Sequence, residues 1–171
     1  MRAKPLFTIG YEGSDLDDFL ATLAACGVAR VIDIRDVPLS RKRGFSKKAL
    51  AGALAARDIA YIHIKQLGDP KPGREAARRE EFAAFRKIYR QHLKGSDAQA
   101  ALKIAARMAG ETPSCLLCFE RAHEHCHRTI VAKALVKQAG FAIAHLEVTK
   151  DAVLHRNRSK KSSSDPQLAF W

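Results

Sequence analysis

The sequence predicts a single three-layer α/β/α domain built on a mainly parallel sheet of about five strands. Short apolar runs alternate with longer stretches at helical spacing along the first 150 residues, and a parallel crossover needs a long connection, usually a helix. The runs themselves are short and apolar, which fits strands covered on both faces. No internal repeat breaks the alternation.

The elements follow in order. LFTIGY (residues 6–11) is the first strand, ending near Gly10. In SDLDDFLATLAACG, Ser14 and Asp17 fit a helix-start box, Leu16, Phe19, Leu20 and Leu23 keep helical spacing, and Gly27 closes the element. VARVIDIRDVP gives a second buried strand, stopped near Pro38. Ser46 caps SKKALAGALAARD, whose Leu50, Ala53 and Leu54 form one face. IAYIHIKQLG is a third strand, and DPKPGREAARRE after Gly68 reads as a turn-rich, basic connection. FAAFRKIYRQHL and AQAALKIAARMA are helices separated by KGSD. SCLLCFE is the fourth strand, HRTIVAKALVKQAG a helix stopped by Gly140, and FAIAHLEV the fifth strand. Residues 1–150 make the domain, and 151–171 a basic, polar tail.

A chain of 171 residues with 47% hydrophobic content can bury a proper core. No window approaches the ~20 apolar residues of a membrane span, and the N-terminus carries no leader-like run, so a soluble, cytoplasmic protein with no membrane partner is expected. Four cysteines in a chain with an ample core point to free or metal-bound thiols in a reducing compartment rather than a disulfide scaffold. A net charge of +12 and a pI near 9.9 favour nucleic acid or another polyanion as partner.

Open parallel sheets bind ligands beyond the carboxyl ends of their strands. Here those ends read Gly10-Tyr11-Glu12, Asp33-Ile34-Arg35, Leu67-Gly68 and Cys118-Phe119-Glu120. The densest chemistry is CLLCFERAHEHCHR, residues 115–128. Cys115-x2-Cys118 with Cys126 and His127 offers the thiolate and imidazole donors zinc prefers. Residues three apart in a strand point to opposite faces, so Cys115 reads as core, and a reduced set of Cys118, Cys126 and a histidine keeps zinc open as a cofactor. Cys115 to Arg121 has the spacing of cysteine phosphatases, but the glycine-free LLCFE between them reads as strand and cannot wrap a phosphate.

An anion pocket fits better. Cys126, His127 and Arg128 open a helix whose free N–H groups and dipole attract negative charge, and Arg128 adds a bidentate grip. Gly10, Tyr11, Arg35, Arg41, Arg43 and Gly68 share that rim. The bland alternative is a structural ion pair of Arg128 with Glu120 or Asp33. For chemistry, Cys118 beside arginines and a helix start is a candidate nucleophile, with Asp33, Glu120 and His127 as general acids or bases, suiting a hydrolase or group-transfer enzyme. Otherwise Cys118 is a small packed residue and Asp33 simply pairs with Arg35. His63 and His145 read as packed, hydrogen-bonded histidines.

TIGYEG, VIDIRDVPLSRKRGFSKKAL, AYIHIKQLG and CFERAHEHCHR, in that order, resemble the domain of unknown function 488 family across residues 6 to 147. The most specific part is Cys-x-Glu followed by Cys-His-Arg, carried by Cys118, Glu120, Cys126, His127 and Arg128; Asp33-x-Arg35 is next. The resemblance implies the α/β fold and this choice of site, and supplies no reaction.

Two functional expectations result. One is an anion-binding pocket that binds or processes a nucleotide-like or phosphate-bearing ligand. The other is a nucleic-acid-associated module working through basic segment 71–94 and the tail. The terminal QLAFW resembles Gln-Leu-x-x-Phe peptides that bind the bacterial sliding clamp, with Gln167, Leu168, Phe170 and Trp171 as anchors; docking back onto the domain is the alternative.

Overall fold

Five strands, β1 (Pro5–Gly10), β2 (Arg30–Asp33), β3 (Ala60–His63), β4 (Ser114–Cys118) and β5 (Ala142–Leu146), pair in the order β3-β2-β4-β1-β5. Every pairing is parallel. The computed structural model describes residues 3–151, and its α/β architecture with five strands is the one the sequence predicts. The clamp-like residues Gln167, Leu168, Phe170 and Trp171 lie outside the described residues. Among the described residues, no helix is long and apolar enough to cross a membrane.

Strand parity sorts the apolar side chains between two cores, because successive residues point to opposite faces. Ile9, Val31, Cys115 and Leu117 pack under α1 (Leu16–Ala25) and α2 (Lys47–Ala55), with Phe19, Leu23, Leu50 and Leu54. Leu6, Ile32 and Leu116 face the other way, toward α4 (Phe82–Leu93), α5 (Ser96–Glu111) and α6 (His127–Ala139). Two dry layers enclosing one sheet make the three-layer domain.

Two local expectations are corrected. Asp15, not Ser14, caps α1: it is extended, and its carboxylate accepts from the Asp18 N–H at 2.8 Å, the third helical position that a cap reaches. Ser14 instead closes a turn through its N–H to the Tyr11 carbonyl. The stretch after Gly68 is not a bare connection, because Lys71–Arg78 forms α3. Pro70 caps it and Pro72 sits in its first turn, where a missing N–H costs nothing.

The topology places the site. β4 lies between β1 and β2, whose connections leave through α1 and α2 on one face, while β4 itself leaves through α6 on the other. Chains that part to opposite faces make the β4 carboxyl end a topological switch point, the usual ligand position in open α/β sheets.

Candidate functional site

The residues singled out from the sequence divide into two polar clusters, one on each face of the rim. On the α1/α2 face, Asp33 and Arg35 form a closed ion pair. Arg35 Nη2 donates to Asp33 Oδ2 at 2.6 Å and Nε to Oδ1 at 2.9 Å. Tyr61 donates its hydroxyl to Asp33 Oδ2 at 2.6 Å. The remaining Arg35 nitrogen, Nη1, donates to the Phe45 carbonyl at 2.7 Å and to the Tyr11 hydroxyl at 3.2 Å, and Tyr11 stacks on Phe45 with centroids 4.4 Å apart. Asp33 is fully buried and Arg35 nearly so. Burial pulls the Arg35 pKa down, but Asp33 outweighs it and raises the value. These contacts pin the long β2–α2 loop to the sheet. His63 donates through Nε2 to the Arg35 carbonyl at 2.7 Å, a hydrogen-bonded structural role.

On the opposite face, Cys118, Glu120, Cys126, His127 and Arg128 converge. Cys126 caps α6, its sulfur accepting from the Arg128 N–H. That places its Sγ 2.7 Å from Cys118 Sγ and 3.2 Å from Glu120 Oε2. His127 is buried; its Nε2 donates to the Ile34 carbonyl at 2.8 Å, so Nδ1 keeps its lone pair. Arg128 has no exposed surface at all. Its guanidinium donates to Cys118 Sγ at 2.8 Å, to Thr8 Oγ1 at 3.2 Å, to the Arg121 carbonyl at 3.0 Å and to the Glu120 carbonyl. Thr8 in turn bonds His145 Nδ1 at 2.7 Å. Arg128 therefore spends its donors on β1, the β4 end and the β4–α6 loop.

Gly10 is part of the same lock. A Cβ there would overlap the Glu120 carbonyl and stand 2.9 Å from Arg128 Nη1. Gly68 is similar, packed on the Asp36 backbone. Both glycines serve close backbone approach.

Electrostatics distinguish the members. Burial and the hydrogen bond with Cys118 push the Cys126 pKa well above the ordinary thiol value. Burial also pushes Glu120 up, but His127 and hydrogen bonds from its own N–H, Cys126 and Cys118 hold it below the ordinary carboxylate value. Burial lowers His127, which favours the neutral ring. Cys115 sits in the α1/α2 core with its pKa raised by burial, an inert packed thiol. Cys118, Glu120 and Cys126 bring their ligand atoms within 4.8 Å of one another, so the group could hold a metal ion.

The sequence reading missed Asp69. It lies just past Gly68 at the β3 end of the rim and is buried, and its Oδ1 has no hydrogen-bond partner among the described residues. Burial first, then the charge of Glu120, raises its pKa from 3.8 to about 7. Gly73 leaves the space that this oxygen occupies. Beside it, Arg74 bridges Asp36 Oδ2 at 2.5 Å and the Asp69 carbonyl at 2.6 Å, and Tyr89 donates to the Leu67 carbonyl at 2.6 Å. An acid immediately after a strand-end glycine was the available signal.

Asp69 makes a stability prediction. A carboxyl with a raised folded pKa binds its proton more tightly when folded, so its contribution is fully present below about pH 4 and lost as pH rises through about 7. Asp69→Asn is expected to remove this loss. Above pH 7 the variant should melt several degrees higher than wild type, with the gap closing toward pH 4; thermal denaturation across pH reads it.

The outer rim carries unpaired charge and exposed apolar surface. Arg41 and Arg43 are exposed and make no ion pair among the described residues. Val37 and Leu39 on the same loop, and Phe119 just past β4, are exposed large apolar side chains, Leu39 at 75% and Phe119 at 47%. Phe119 packs edge-on to Tyr11 at 5.3 Å.

A family model described as a domain of unknown function, DUF488, matches residues 15–135. The chain belongs to the DUF488 family. No curated protein and no solved structure matches it. The match covers Asp33, Arg35 and the whole run from Cys118 to Arg128. In this DUF488 domain, those residues divide between a pinned ion pair on one face and a thiol–carboxylate cluster on the other.

Proposed function

We propose that this domain binds a nucleotide-like or phosphate-bearing ligand at the carboxyl rim of its sheet and processes it by proton transfer, as in hydrolysis or group transfer. Asp69 carries the reading. A buried carboxyl with one unpaired oxygen, next to a second carboxyl, costs stability and gives the fold nothing that asparagine would not. Two carboxyls held at different protonation states near neutral pH form an acid and base pair. Asp69 is the acid and Glu120 the base, with Cys118 the adjacent nucleophile. Glu120 is half-buried, while Cys118 and Cys126 are buried.

Arg35 and Arg128 position the loops in this reading, and the phosphate contacts fall to exposed Arg41 and Arg43, which give up no internal partner on binding. Phe119 and Leu39 supply an apolar platform for a base or sugar. Among divalent ions, zinc is the cofactor that a thiol-rich donor set favours.

A thermal-shift panel of nucleotides and sugar phosphates tests the reading. A ligand at 100 times its Kd adds ~2.7 kcal/mol of stability, or about 5–11 °C for a chain of this size. The shift should vanish in Arg41→Ala/Arg43→Ala, while Asp69→Asn should keep binding and lose turnover. If no phosphate ligand shifts the wild type, the reading fails.

A second reading rests on α4. Arg86, Lys87, Arg90 and Lys94 line one helix face along a shallow groove of about 550 Å³, with no acidic residue in the helix. Such a stripe fits a polynucleotide backbone. Steeply salt-dependent binding of single- or double-stranded DNA that survives Arg41→Ala/Arg43→Ala but falls in Arg86→Ala/Arg90→Ala would favour it.

A further inference from the structure

We infer that Cys118, Glu120 and Cys126 form a three-donor centre for a zinc-class divalent ion, with His127 beside it. An ion held there takes Cys118 and Glu120 as ligands, in place of the nucleophile and base roles they have in the phosphate-ligand reading. The donor chemistry comes first. Two thiols and a carboxylate lie on three consecutive structural features, the β4 end, the following loop and the α6 start. Their ligand atoms all fall within 4.8 Å of one another. Thiolate donors select zinc over calcium or magnesium, which want oxygen cages.

His127 stands at the edge of this group rather than in it. Its Nε2–H is anchored on the Ile34 carbonyl at 2.8 Å, which fixes the tautomer and leaves the Nδ1 lone pair 3.8 Å from Cys126 Sγ. With three protein donors, the fourth position of a tetrahedral zinc is left for water or a ligand.

Charge balance points the same way. With both cysteines as thiolates and Glu120 ionised, the donors carry three negative charges, and the buried Arg128 guanidinium on Cys118 Sγ returns one positive charge. A divalent ion neutralises the remainder. Arg128 then acts as an outer hydrogen-bond donor to a metal-bound sulfur. The sulfurs, 2.7 Å apart, must separate by about 1 Å to sit on one tetrahedral ion, where two Zn–S bonds span ~3.8 Å. A small rotation of either cysteine side chain supplies that movement.

The test uses the full chain, purified under reducing conditions, stripped with chelator and titrated with Co²⁺ as the spectroscopic stand-in for zinc. The expected result is one Co²⁺ per chain, with a near-ultraviolet thiolate-to-cobalt band and the intense visible bands of a tetrahedral ion, all displaced by zinc. Cys126→Ser should roughly halve the thiolate band, and Glu120→Gln should weaken zinc binding ~10-fold or more at unchanged circular dichroism. If Cys126→Ser fails to fold, the wild-type spectrum alone decides, through its thiolate intensity. Absence of that band, or cysteines that close to a disulfide and take up no metal from the reduced state, would overturn the inference.

Discussion

Arg128→Ala is expected to destabilise this domain strongly rather than merely empty a binding pocket. The side chain is fully buried and satisfies two backbone carbonyls, a hydroxyl and a thiol. Its removal strands those acceptors without water and leaves a cavity of nearly the whole side chain. Breaking a buried charged network of this kind costs about 3–5 kcal/mol, which corresponds to a fall in Tm of roughly 6–20 °C for 171 residues. Arg128→Lys should recover only part of it, because one ammonium cannot reach acceptors on Thr8, Cys118, Glu120 and Arg121 together. Thermal denaturation of both variants, followed by circular dichroism, measures this. A Tm within a degree or two of wild type for Arg128→Ala would mean that the guanidinium is free for a ligand after all.

Gly10→Ala should be nearly as damaging, although it adds one methyl group. The new Cβ has no room beside the Glu120 carbonyl and crowds Arg128 Nη1, so β1 or the β4–α6 loop must move. Overpacking against backbone costs about 3 kcal/mol or more, since no flexible side chain can give way. Gly52→Ala is the control. Gly52 lies inside α2 with nothing within 4 Å of its would-be Cβ, so alanine there should stabilise by about 0.5–1 kcal/mol. Opposite signs from the same chemical change would show that Gly10 is held by contact and not by backbone freedom. Equal, small effects at both positions would remove the lock described at the β4 end.

These effects mark the boundary between what was legible in the chain and what was not. The α/β class, the five strands and the rim position could be read because they rest on local periodicities of two and 3.6 residues. Strand parity also placed Cys115 in the core, where the structure has it. The α3 helix was less legible, since two prolines that usually signal a turn occupy its cap and first turn. Asp69 is hidden for the same reason, because the sequence around it has the composition of a connection.

How the charges are used was not legible in the sequence. Arg128 reads equally well as an anion grip or a structural pin; what decides is that its acceptors sit on Thr8, 120 positions away in the chain, and on carbonyls whose direction depends on the folded loop. His127 is likewise fixed by Ile34, 93 positions away. Asp33 and Arg35 are two residues apart, yet Tyr61, Tyr11 and Phe45 close their pair. The sequence by itself determined which residue types reach the carboxyl rim, because alternation and helix spacing are properties of neighbouring residues. Only the tertiary structure decided which of them spend their hydrogen bonds internally and which stay available, because a buried polar group takes its partner from whatever the fold brings beside it.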